Sequence, residues 1–227
     1  QVERRAIEDC SVAAGASTVY IVSEPLAAAI GAGIPIGEAS GSMILDIGGG
    51  GSEAAVISLG GIVSNKYVRV GGNKLDESLA SYIKKKYGLI VGVKTAERIK
   101  MEIGSAVKVK KEKKVVVKGR NMMTGLPKKI ELSTNEIVDC FKPVLIKIIG
   151  MLKRVLEEVP PELSSDIIDK GLVMTGGGSL LPGLDKWLAR ELGFPCYTAE
   201  DASFCVAKGT GVILENLDDY KKSLGRR

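Results

Sequence analysis

The sequence predicts an α/β fold, and three observations predict it. Asp46-Ile-Gly-Gly-Gly-Gly51-Ser52-Glu53 lies between two apolar runs, Met43 to Leu45 and Ala54 to Leu59, the pattern of a strand, a glycine hairpin and a second strand. Val173-Met-Thr-Gly-Gly-Gly-Ser-Leu-Leu-Pro-Gly-Leu184 again runs from strand to glycines, but an amphipathic helical pattern follows. Elsewhere short β-branched runs alternate with segments of helical period, as α/β folds require.

In chain order, Val2 to Gly15 is helical, with Ala6, Ile7 and Val12 apolar among charged neighbours. The chain starts with Gln1, where a natural start normally shows methionine. Val19 to Val22 reads as a short buried strand. Glu24 to Ile30 reads as a small-residue helix whose first turn suits Pro25. Gly31 to Gly41 is a loop. A third antiparallel strand, Ile62 to Val70, follows the glycine hairpin, then a helix from Asn73 to Tyr87 and another that Thr95 caps. Val115 to Val117 starts a basic hairpin. Ser133 and Glu136 have capping-box spacing and open a long helix to Val159, which Pro160-Pro161 stops. Strand Gly171 to Thr175, helix Leu180 to Leu192, strand Pro195 to Tyr197 and a helix near Ala202 to Leu217 complete the fold, and polar Asp218 to Arg227 is expected to fray.

Composition narrows the chemistry. A chain of 227 residues, 45% hydrophobic and 26% charged, buries a sizeable core. No apolar stretch approaches the roughly 20 residues of a membrane span and nothing resembles a signal peptide, so the expected location is cytoplasmic. With no histidine and four scattered cysteines (Cys10, Cys140, Cys196, Cys205), zinc sites and histidine triads are excluded, and buried reduced thiols are expected. Eight lysines and one arginine between Lys108 and Lys129 face the single acid Glu112. That run suits an anionic surface, but no aromatic residue is interleaved for base stacking. Lysines guarding a hairpin edge is the favoured reading, with no nucleic-acid partner.

The glycine turns carry the function. Successive glycines let backbone N–H groups converge on phosphate oxygens, and Asp46 beside them suits a water-shelled Mg²⁺ ion, together the signature of a nucleoside triphosphate. The alternative is a plain glycine hairpin with a turn aspartate. Amides of the second turn sit at a helix start, where anions and polar ligand edges are favoured. Neither turn has the Walker or the dinucleotide pattern.

Val2-Glu-Arg-Arg-Ala, Glu24-Pro-Leu-Ala-Ala-Ala-Ile-Gly, Asp46-Ile-Gly-Gly-Gly, Val56-Ile-Ser-Leu-Gly-Gly, Thr95-Ala-Glu-Arg-Ile-Lys-Met-Glu-Ile-Gly, Ser165-Asp-Ile-Ile, Thr175-Gly-Gly-Gly-Ser-Leu-Leu and Val206-Ala-Lys-Gly-Thr-Gly stand in this order. Together they closely resemble the MreB/Mbl family of bacterial actin-like, cell-shape-determining proteins, over nearly the whole chain. The resemblance implies the second half of an actin-like ATPase (ribonuclease-H-like) fold. In it, residues 1–72 and 147–227 form the larger subdomain on the nucleotide side, and 73–146 form an inserted smaller α+β subdomain. The first half, with the other phosphate hairpin, has no counterpart here.

What the family implies for residues follows the motifs. Asp46 (on the Mg²⁺ side), Gly48, Gly49 and Gly50 match the second phosphate loop, Gly51 is a further expected nucleotide-binding position at its end, and Gly176, Gly177 and Gly178 match the adenosine turn. Glu97 and Lys100 fall where the sugar and base are contacted, unless they are merely an exposed i,i+3 charge pair. Glu24 falls where the attacking water is oriented, or is an acid favoured by a helix start. At Gly51-Ser52 the family usually carries two threonines, the first thought to help hydrolysis, which leaves Ser52 as a stand-in.

ATP and Mg²⁺ are the implied cofactors. The implied partners are further copies in a protofilament, the missing half or an intact family member, the cell-wall elongation machinery and, indirectly, the membrane, at whose inner face the protein would act. ATPase activity is expected of a full-length member and not of this half alone, whose open cleft leaves phosphates in water. The competing readings are a non-hydrolysing scaffold or filament cap and, less favoured, a chaperone ATPase or sugar kinase.

Overall fold

A strand buried on both faces must sit in the middle of a sheet, and the first strand of the chain is of this kind. The computed structural model describes residues 2–220. Helices α1 (Val2–Ala13) and α2 (Glu24–Gly31) precede β1 (Ser42–Ile47), all six of whose residues are buried. Next come β2 (Ser52–Ser58), β3 (Gly61–Val68), α3 (Gly72–Tyr87), β4 (Leu89–Ile90), α4 (Val93–Ile103), β5 (Lys114–Asn121), β6 (Pro127–Ser133) and α5 (Thr134–Glu157). The chain continues through α6 (Pro161–Lys170), β7 (Leu172–Thr175), α7 (Leu184–Leu192), β8 (Cys196–Thr198), α8 (Cys205–Glu215) and α9 (Leu217–Tyr220).

The larger sheet has the order β3-β2-β1-β7-β8, with β1 antiparallel to β2 and parallel to β7. Alternation along β1 sends Met43, Leu45 and Ile47 into the main core, while Ile44 joins Leu26, Ala28 and Ala29 of α2 on the opposite face. The smaller sheet is β4-β5-β6, where Val115 and Val117 are buried and Val116 is exposed, so the basic hairpin has one dry face and one wet one.

Helix α5 links the two sheets. Its beginning lies on α3, where the Ser78 hydroxyl donates to the Cys140 carbonyl, and its end reaches β3, where Glu158 pairs with Lys66 at 2.5 Å and accepts from Ser64 at 2.9 Å. One apolar stripe through Phe141, Leu145, Ile148, Leu152 and Val155 therefore belongs to a core shared by both sheets.

Several expectations are corrected. Val19 to Val22 forms no strand; Tyr20 and Val22 pack instead on the cluster between α2 and α8. Thr95 caps nothing, because α4 begins at Val93 after extended Gly92. Pro160-Pro161 ends α5, but Pro161 also starts α6, which was not foreseen. The helix expected from Leu180 is broken by Pro182 and by Gly183 (φ 75°) into a short 3-10 turn, Gly177–Leu180, and α7. Cys10 is exposed and Cys140 half-buried; only Cys196 and Cys205 are buried, and all four are free. Of the tail expected to fray, Asp218 to Tyr220 is helical, and 221–227 lie outside the described residues.

The capping box also fails, for an electrostatic reason. Ser133 is the N-cap residue of α5 but makes no side-chain cap bond, its side chain bonding to Glu112 instead, while Glu136 turns to α3. There it accepts from Lys86 at 2.8 Å, Tyr82 at 3.0 Å and, more closely still, Tyr87. Charge-assisted bonds outweigh a neutral cap.

Burial works to raise the Glu136 pKa, but these three donors outweigh it and hold the carboxyl below its ordinary 4.5. A depressed acid stabilises the fold above its unfolded pKa and loses that contribution as pH falls through the folded one. Glu136→Gln is therefore expected to cost about 1 kcal/mol at pH 7 and progressively less below about pH 4.5, read from urea melts across that range.

Candidate functional site

The glycine hairpin and the second glycine turn meet because β1 and β7 are adjacent and parallel, with Asp46 beside Thr175 at their carboxyl ends. In the hairpin, Gly48 N–H donates to the Gly51 carbonyl at 2.9 Å. The carbonyls of Gly48 and Gly49 accept from Gly72 and Asn73, each at 2.9 Å, which ties the start of α3 to the turn. Among the described residues the N–H groups of Gly49, Gly50 and Gly51 have no acceptor, so three consecutive amides are free for a ligand anion.

In the second turn, Gly176 (φ 80°) is needed for close packing, since a Cβ there would overlap the Ile47 carbonyl. Its N–H is spent on Ala202, so its place is in the wall rather than on the cleft. Gly177 and Gly178 do line the cleft. They open the 3-10 turn, whose first amides have no helical acceptor.

Between the two turns lies a cleft of about 420 Å³. Gly48, Gly49, Gly72 and Asn73 form one wall and Gly177, Gly178, Leu180 and Pro182 another, with Glu97, Lys100 and Met101 of α4 closing the side. Leu180 and Met101 are exposed apolar groups there, suited to the flat face of a base. Lys100 does not pair with Glu97. Its ammonium reaches Asp76 of α3 at 2.9 Å and the Gly72 carbonyl at 3.2 Å, so the simple i,i+3 pair gives way to a tie between α4, α3 and the hairpin. Glu97 is left facing the cleft, exposed.

The carboxylates occupy the opposite, α2-side face of the sheet. Asp46 is 5% exposed and accepts a 2.7 Å bond from the Thr175 hydroxyl. Burial raises its pKa, and the Thr175 bond only partly offsets this. Glu24, at the start of α2, is also raised, first by partial burial and then by the charges of Asp46 and Glu53. Glu53 is the cross-strand partner of Asp46, so the three acids share one face. Ser52 does not join them. Strand alternation turns it to the other face, where it is 1% exposed and donates to the Val70 carbonyl at 2.6 Å.

The donor set fits a hydrated Mg²⁺ ion. A single buried carboxylate with free amides beside it leaves coordination to water and phosphate, as Mg²⁺ prefers, and no group of three acids or thiols among the described residues forms a cage for a bare metal.

Sequence reasoning missed Asn73, Asp76, Met101, Thr175 and Glu53. Thr175 and Glu53 flank the glycine motifs directly, and strand pairing of those motifs could have found them. Asp76 carried no local signal, because its partner is 24 residues away.

Known proteins share this architecture. The family model described as MreB/Mbl protein matches residues 1–222. The cell shape-determining protein MreB of Escherichia coli (strain K12) is 49% identical over 218 residues, a match covering 96% of this chain and 63% of that protein. The chain thus spans less than two thirds of the length of that relative. Among solved structures, MreB5 of Spiroplasma citri bound to ADP has a TM-score of 0.94 at 36% identity, covering 98% of this chain and 68% of that one. The same protein bound to AMPPNP gives the same score and identity. The MamK double helical filament has a TM-score of 0.71 at 23% identity over 86% of this chain and 59% of its own, a likeness of fold alone.

Proposed function

Because the chain belongs to the MreB/Mbl family and has its actin-like fold, we propose that it forms the nucleotide-side part of an ATP-binding, filament-forming cell-shape protein. The observation that carries this reading is the convergence of two glycine turns with free amides on one cleft, Asp46 standing beneath them. In this reading residues 1–72 and 147–227 are the larger subdomain and 73–146 the inserted smaller one, with α5 running through both. The bound ADP and AMPPNP of the Spiroplasma citri relative support a nucleotide as the ligand.

Residue roles follow from position. Amides of Gly49, Gly50 and Gly51 hold phosphate oxygens, while Gly177 and Gly178 border the base and Glu97 the sugar. Asp46 holds Mg²⁺ through its water shell. When bound, that ion neutralises phosphate charge. A cation there also favours the ionised form of a carboxyl that burial pushes toward its neutral form. Glu24 accepts a hydrogen bond from the attacking water and must be ionised to do so. Its raised pKa therefore predicts that turnover falls on acidification from pH 7 while nucleotide remains bound. Self-association into protofilaments, contact with the cell-wall elongation machinery and action at the inner membrane face belong to the same proposal. No helix among the described residues is long and apolar enough to cross a membrane. A second reading, a scaffold that binds nucleotide without turning it over, is favoured by Gly51 and by the turned-away Ser52.

Calorimetric titration of the native polypeptide carrying these residues tests the first reading. Mg²⁺-dependent ATP binding is expected, with Asp46→Asn weakening it at least about tenfold, one lost charge-assisted contact. No ATP binding at millimolar concentration, or filament pelleting indifferent to nucleotide, overturns it. Bound ATP with no phosphate release transfers support to the scaffold.

A further inference from the structure

The carboxylate face holds one more group that the roles above leave unused. Asp46, Glu53 and Tyr67 are successive cross-strand partners on β1, β2 and β3, so their side chains form a row on the α2 side of the sheet. Position 51 has the parity of Glu53 and faces the same way. It is glycine, and the space of its missing side chain is filled by Tyr67. A Cβ built on Gly51 would overlap the Tyr67 hydroxyl oxygen and lie 2.5 Å from its ring carbons.

The tyrosine is 59% exposed, and its hydroxyl has no hydrogen-bond partner among the described residues. A phenolic O–H can donate a hydrogen bond. It stands against Gly51 of the glycine hairpin with its free amides, on the face opposite the base-side cleft, with Glu53 between it and Asp46. A nucleotide laid from Gly177 and Gly178 toward the hairpin presents its terminal phosphate at that end.

Resting on the nucleotide reading, we propose that Tyr67 is a binding residue for the terminal phosphate, its hydroxyl donating to a phosphate oxygen from the place that a side chain at position 51 would occupy. Glycine at 51 and tyrosine at 67 then form one unit: the first makes room and the second brings the hydroxyl. Ser52 cannot do this, because its side chain lies on the other face and is already bonded.

The test is calorimetric binding of Mg²⁺-ATP and Mg²⁺-ADP to the native polypeptide, with thermal melts as the folding control. Tyr67→Phe keeps the ring and removes only the donor. It is expected to weaken ATP about tenfold and ADP less than about twofold, as loss of a hydrogen bond to a charged group requires. Tyr67→Ser with Gly51→Ser, which reopens the space and puts a hydroxyl into it, is expected to recover most of the ATP affinity. Unchanged ATP affinity in Tyr67→Phe overturns the proposal, as does an equal loss for both nucleotides. A parent protein that binds neither nucleotide overturns the nucleotide reading itself, and this proposal with it.

Discussion

Gly209→Val is expected to cost the fold more than about 3 kcal/mol, enough to unfold a marginal domain. Helices α2 and α8 cross with their backbones in contact. A Cβ on Gly209 would overlap the Ala27 carbonyl and lie 2.9 Å from the Gly31 nitrogen, and a Cβ on Gly31 would overlap the Cys205 carbonyl. Overpacking against side chains costs about 1–3 kcal/mol, because rotamers can yield. Here the obstacle is helix backbone on both sides, so the helices must separate. That separation uncovers Ala27 and Ile213, both buried, and shifts α2, which begins at Glu24. Gly211→Ala is the control, since nothing lies within 4 Å of its Cβ position, and it is expected to stabilise by up to about 1 kcal/mol as alanine does in a helix. Urea denaturation of the two variants checks the contrast, and a Gly209→Val loss below about 1 kcal/mol would show that the crossing yields.

Lys100→Met is expected to destabilise by on the order of 3 kcal/mol, because it leaves a buried carboxylate without its cation. Asp76 is 2% exposed, and burial already raises its pKa above the ordinary 3.8 against the pull of Lys100. Without the ammonium the carboxyl favours its neutral form still more. A folded state that holds a proton more tightly than the unfolded one gains stability as pH falls through the raised pKa and loses it as pH rises. The variant should therefore be more stable near pH 5 than near pH 8, a slope opposite in sign to the Glu136 contribution. Adding Asp76→Asn should return much of the loss, and a double-mutant cycle gives the coupling. Equal stability of the parent and Lys100→Met at pH 8 would mean that the pair contributes nothing. Lys100 also lines the cleft, so ATP affinity should fall with it.

Much of this was legible in the sequence, for local reasons. The strands around Asp46, the basic hairpin and helices α3 and α5 follow from period, glycine and proline, which act within a few residues. The candidate cleft was legible through its glycines because a ligand that approaches backbone forbids side chains. Failures occurred where a distant partner decided. Ser133 and Glu136 have the right spacing, but Lys86, Tyr82 and Tyr87 compete for the carboxylate from another helix. Glu97 and Lys100 also have the right spacing, yet Asp76 takes the lysine.

The sequence by itself determined the order of the elements, the two glycine turns and the family, because each depends on residue types at short, countable spacings. Tertiary structure alone decided which face each polar group occupies and what it meets there. Ser52 and Glu53 are neighbours in the chain, but the pleat sends one to the Val70 carbonyl and the other into a row between Asp46 and Tyr67. That row is set by strand pairing across the sheet, and pairing is a long-range choice made by the burial of whole faces.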